Sequence, residues 1–180
     1  MNPLERVAIV IASLALSVGL IALLSGFFTS RDQGSLIVGV GLAGERFRDL
    51  GDAPLRAGQR PPVYDSNPPT SGAHVSEPVT RDEVRLDNNQ LLDALAAGNV
   101  VILYANRTPP AGLTTLVQAL APQFTPALAS AGQAVILGRR PGTVGLIGLA
   151  WAHMVRVPEA SDPRLREFAA HWLGRGARGR

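Results

Sequence analysis

Residues 7–28, VAIVIASLALSVGLIALLSGFF, run for 22 positions without a charged side chain. Helical backbone rises about 1.5 Å per residue, so the stretch would be about 33 Å long, enough to cross a hydrocarbon core of roughly 30 Å. It exceeds the apolar region of a secretory leader, and Phe27, Phe28 and Thr29 stand where a small-x-small cleavage pattern would be needed. The sequence therefore predicts an uncleaved, single-pass transmembrane helix over 7–28, preceded by a short tail over 1–6.

One face of that helix carries only small side chains. Ala8, Ala12, Ala15, Gly19, Ala22 and Gly26 follow at steps of 4, 3, 4, 3 and 4, a heptad seam. Lipid tails are as apolar as leucine, so helices in a bilayer associate through close backbone approach, which small residues permit. Ser13 and Ser17 add a second small pair. The seam predicts packing against transmembrane helices of other membrane subunits. Alanine-rich composition is the plainer account of the same pattern.

Composition closes several other routes. The 17 basic residues are all arginine and face 14 acidic ones, a balance of +3 that is too small and too mixed for a nucleic-acid-binding surface. There is no cysteine, which excludes thiol catalysis, disulfides and thiolate metal sites. Three histidines and 5% aromatic residues leave little material for a cofactor pocket, and no cofactor is expected. No phosphate loop, G-x-S-x-G elbow or His-x-x-x-His pair occurs.

Beyond the anchor, residues 29–87 read as a connector followed by a wrapping arm. Leu36 to Leu42 is too short to cross a membrane. Prolines at 54, 61, 62, 68 and 69 remove backbone donors and fix φ, the pattern of an extended arm lying over a core. The arm ends in Ser66-Asn-Pro-Pro-Thr-Ser-Gly-Ala-His74. This run, followed by a short helix and a G-x-V-V-I-x-Y strand, resembles the bacterial domain of unknown function 3105 family over roughly Asp49 to Gly176. The resemblance implies a membrane-anchored α+β domain on the extracytoplasmic side, although the arginines at 31, 46 and 48 do not favour a cytoplasmic N-terminus by charge.

The same resemblance implies a His-x-x-Glu-His-Gly run on the helix before that strand. Here the matching stretch is Asp93-Ala-Leu-Ala-Ala-Gly98, so Ala96 and Ala97 stand where a glutamate and a histidine would be. No metal site is expected. Were an ion held, His74 with Asp93 or His153 would be the candidate ligands. Ser71, His74 and Asp93 form a triad only by arbitrary choice, and the chain is read as non-catalytic.

Residues 88–174 read as an α+β core, a compact α/β sandwich in βαββα order similar to half of a thioredoxin-like layer. Asn88 or Asn89 would cap a helix through Ala97 that buries Leu91, Leu92 and Leu95 and stops at Gly98. Val100 to Tyr104 is a strand apolar on both faces. A helix follows through Leu113, Leu116, Val117 and Leu120, then a strand over Gln133 to Leu137. Val144 to Val157 reads as one longer strand bent at Gly145 or Gly148. Asp162 with Pro163 opens the last helix, and residues 175–180 form an unpacked basic tail suited to lipid phosphates or an acidic partner surface.

Two functions from different classes follow. The chain is an accessory subunit whose anchor packs on partner helices while its domain covers the extracytoplasmic face of a membrane complex. Alternatively, it is a stand-alone envelope domain that handles a metal or another ligand. A second copy of the chain is an admissible partner in either case.

Overall fold

Continuous apolar runs and turn-making glycines place four five-residue strands at the centre of the domain. The computed structural model describes residues 44–56 and 58–177. In chain order the elements are β1 (Glu45–Arg46), β2 (Val84–Arg85), α1 (Asn88–Ala97), β3 (Val100–Tyr104), α2 (Leu113–Gln118), α3 (Pro126–Ser130), β4 (Val135–Arg139), β5 (Leu146–Ala150), β6 (His153–Val157) and α4 (Pro163–Trp172). They build one six-stranded mixed sheet in the order β1-β6-β5-β3-β4-β2. β2, β4 and β3 run parallel, while β5, β6 and β1 are successively antiparallel.

Helices cover both faces. On one, Leu91, Leu92 and Leu95 of α1 meet Val101, Leu103, Ile136, Ile147 and Met154, with Trp151 fully enclosed. On the other, Leu113 and Leu116 of α2 and Leu165 and Phe168 of α4 meet Ile102, Tyr104, Val135, Leu137 and Val155. This two-sided cover is why β3 reads as an uninterrupted apolar run, every residue of it buried. Close approach of α4 to the sheet depends on Gly148, where a Cβ would lie 2.8 Å from Val155 Cγ1 and 3.1 Å from Leu165 Cδ1.

The sheet overturns the expected βαββα half-thioredoxin order. The stretch read as one bent strand is the hairpin β5–β6, in which Leu146 pairs with Val157 and Ala150 with His153. Its turn is made by Trp151 and Ala152, with Ala152 at φ +59°. Residues that normally announce a tight turn are missing there, so the apolar pattern runs through it unbroken. The arm also contributes β1 and β2, which at two residues each are too short to show a period of two.

The helix cap differs by one position. Asp87 caps α1, accepting from the Gln90 amide at 3.0 Å while the Gln90 side chain accepts from the Asp87 amide at 3.3 Å. Gly98 ends the helix in the left-handed region as read from the sequence. The C-terminal segment packs further than an unpacked tail would: Gly174 donates to Gly98 O at 2.8 Å, and Gly176 is buried against the end of α1. The transmembrane helix expected over 7–28, with its seam, lies outside the described residues. Among the described residues no helix is long and apolar enough to cross a membrane.

Candidate functional site

The Ser66–His74 loop is the specific part of the sequence match, and its side chains are held mainly by backbone. Ser71, fully buried, donates its hydroxyl to Arg48 O at 3.0 Å and accepts from the Leu50 amide at 3.1 Å. Ser66 Oγ accepts from the Thr70 amide at 3.1 Å, and Thr70 O accepts from the Ala152 amide at 3.0 Å, joining the loop to the β5–β6 turn. Gly72, at φ +127°, lies under the Tyr64 ring, where a Cβ would come within 2.8 Å of Tyr64 Cε1. Tyr64 in turn donates its hydroxyl to Ala73 O at 3.0 Å, and burial raises its pKa above the usual phenol value. Asp49 completes the join by accepting from Trp151 Nε1 at 3.1 Å.

This loop delivers His74 to α1. The ring is 2% exposed, and its Nδ1 lies 2.9 Å from Gly72 O. A carbonyl only accepts, so Nδ1 carries a proton and Nε2 faces the helix. There Nε2 lies 3.8 Å from Asp93 Oδ1. Asp93 accepts from Ser76 Oγ at 3.2 Å and is 7% exposed. Asn89, one turn earlier on α1, accepts from the Val75 amide at 3.1 Å. The carboxylate and Ser76 open onto a cavity of about 210 Å³, also lined by Ala97, Asn99 and Ala129.

The cluster unites His74 and Asp93, as the sequence grouped them, and leaves the other candidates elsewhere. Ser71 points away toward Arg48 O and the Leu50 amide, so the Ser71–His74–Asp93 triad is not assembled. Ser76, which no motif marks, takes its place beside the carboxylate. The order is nevertheless wrong for nucleophile activation: the hydroxyl donates to the carboxylate and not to the imidazole. His153 stacks on Trp172 with ring centroids 3.8 Å apart and has Nδ1 2.8 Å from Trp151 O. Among the described residues no three of His, Asp or Glu gather as a metal-holding group.

Residues 58–178 match the family model described as Protein of unknown function (DUF3105). The chain belongs to this family. Neither the curated proteins nor the solved structures give a match. Within the DUF3105 domain the cavity lies where the sequence resemblance implies longer side chains. Ala97, at the place of the second histidine of the His-x-x-Glu-His run, forms part of its wall.

A second polar centre lies at the carboxyl ends of the parallel strands. Arg85, Arg139 and Tyr104 occupy one row across β2, β4 and β3. Arg140 follows directly and donates from Nη2 to Asn67 Oδ1 at 2.7 Å, while Arg156 of β6 donates to Asn67 O at 2.9 Å. Nothing in the sequence signalled this grouping, because Asn67 lies 73 and 89 residues from its two partners.

Proposed function

We propose that this DUF3105 protein is a non-catalytic accessory subunit of a larger membrane protein complex. Residues 7–28 hold it at the membrane and pack on partner helices, and the domain covers the partner on the extracytoplasmic side. The observation that carries this reading is the seam of Ala8, Ala12, Ala15, Gly19, Ala22 and Gly26, because close backbone approach is what joins helices in lipid. The domain's chemistry supports it. The Ser66–His74 loop spends its serines, threonine and histidine on ordering the arm, an investment suited to a rigid cover. The extracytoplasmic placement rests on the resemblance described above.

The second reading, a stand-alone envelope domain that handles a metal or small ligand, draws on the cavity beside Asp93. Extraction in mild detergent separates the two. An accessory subunit co-purifies with other membrane polypeptides, and Ala15→Leu with Gly19→Leu weakens that association by roughly 1–3 kcal/mol, since the enlarged side chains hold the helices apart. Leu16→Ile with Leu20→Ile, off the seam, leaves recovery unchanged. Equal recovery of the double-leucine variant would remove the seam's role and leave the ligand-handling reading.

A further inference from the structure

The geometry points to a phosphate-binding site at the carboxyl ends of β2, β4 and β3, formed by Arg85, Arg139 and Arg140 with Arg156 at its margin. A pocket of about 500 Å³ opens there, lined by Arg85, Leu86, Asp87, Asn88, Arg139 and Arg140. In open sheets with parallel strands the carboxyl edge is where ligands enter, because the strands end together and the following loops diverge around them.

The positive charge is concentrated, with Asp87 in the pocket wall and Asp82 and Glu83 on its Tyr104 side as the nearby acids. Among the described residues no carboxylate lies within ion-pair distance of any of the four arginines. Asp87 is the acid in the pocket wall, its Oδ1 accepting from the Gln90 amide. Asp82, on the approach to β2, accepts from the Leu137 amide at 2.7 Å. Burial, and then the neighbouring Arg85 and Arg156, lower the pKa of Arg140 below the usual guanidinium value.

One donor is conspicuously idle. Arg139 Nε is buried and has no hydrogen-bond partner among the described residues. A buried N–H left unpaired is costly, so the Arg139 side chain, which lines the pocket, gains by turning Nε toward an acceptor that enters it. Asn67, by holding Arg140 and Arg156 together, acts as a positioning residue for the cluster. A tetrahedral phosphate offers several acceptors to converging guanidinium forks, which bind it through paired N–H donors.

Isothermal titration of the purified full chain with inorganic phosphate in nanodiscs of phosphatidylcholine tests the assignment. Wild type binds, and Arg139→Gln with Arg140→Gln weakens binding at least tenfold. Arg164→Gln, at the exposed pair with Asp162, leaves it unchanged. Should the double variant fail to give a native melting transition, Arg85→Gln and Arg156→Gln, both at exposed positions, serve in its place. Asn67→Ala weakens binding by a smaller factor that Asn67→Asp does not restore, since a carboxylate would neutralise the pair.

Repeating the titration in nanodiscs containing phosphatidylglycerol identifies the phosphate's source. A lower apparent affinity there means that lipid headgroups compete for the pocket; equal affinity means a free phosphate compound is its ligand. Absence of phosphate binding by wild type, or undiminished binding by the folded arginine variants, overturns the site.

Discussion

The Ser66–His74 loop and the arginine edge contain comparable densities of polar groups and treat them in opposite ways. In the loop, hydroxyls, amides and the imidazole Nδ1 meet partners within the chain, and the segment is largely buried. At the edge, Arg85, Arg139 and Arg140 line one pocket and Arg156 shares Asn67 with Arg140, without a carboxylate in pairing range among the described residues. Satisfied buried networks make a fold specific, whereas like charges brought together oppose it. The lesson is that the motif most visible in the sequence marks where this domain is ordered, and the grouping with chemistry to spare lies elsewhere.

The sharpest way to break the comparison is Gly72→Ala. The left-handed backbone at φ +127° disfavours any side chain, and the added Cβ meets the Tyr64 ring at 2.8 Å. The expected loss is about 2–4 kcal/mol in a urea titration. A variant within experimental error of wild type would mean that the loop is not an ordering element.

Ser71→Ala follows with a smaller effect. It leaves the Leu50 amide and Arg48 O without their side-chain partner in a part-buried setting, for an expected cost of about 1–3 kcal/mol. The unfolding midpoint measures it, and Ser71→Thr, which keeps the hydroxyl, distinguishes the hydrogen bonds from the cost of altered packing.

The smallest effect belongs to the arginine end and concerns pH. Burial is the largest influence on Asp82 and raises its pKa above the ordinary carboxylate value. A carboxyl group with a raised folded-state pKa binds its proton more tightly folded than unfolded. Its contribution to stability therefore improves as pH falls through that raised value and worsens as pH rises. Asp82→Asn keeps an acceptor for the Leu137 amide and removes the charge. The variant should melt above wild type at pH 7, with the gap closing as the solution is acidified toward the unfolded-state value. A gap that widens with acid would show that hydrogen bonding, and not burial, governs this carboxylate.

What could be read in advance divides by range. Leu91, Leu92, Leu95 and Gly98 specify α1 locally, and Val100 to Tyr104 declares a covered strand without reference to distant residues. The β5–β6 hairpin was hidden because Ala152 adopts a left-handed turn without the glycine or asparagine that normally signals one. The edge strands were hidden by their length. Of the candidate site, His74 and Asp93 could be grouped, but Ser76 and the Asn67–Arg140–Arg156 cluster depend on contacts between remote segments. A glycine and arginine sequence resembles an unpacked tail, whereas the small size of Gly176 is what lets its backbone sit against the end of α1.

The margin formed by β2 also governs how copies of this domain can meet. The outer backbone of a terminal strand is an open template on which another chain can lengthen a sheet. Next to the two-residue β2, the Leu137 amide of β4 is occupied by the Asp82 carboxylate, and its carbonyl accepts from the Glu83 amide at 2.9 Å. A foreign strand approaching there must first displace a carboxylate and a backbone bond, and then lie alongside Arg85. What remains open at that margin is a strand of two residues, so crowding many copies onto one surface offers a foreign strand only a short template there.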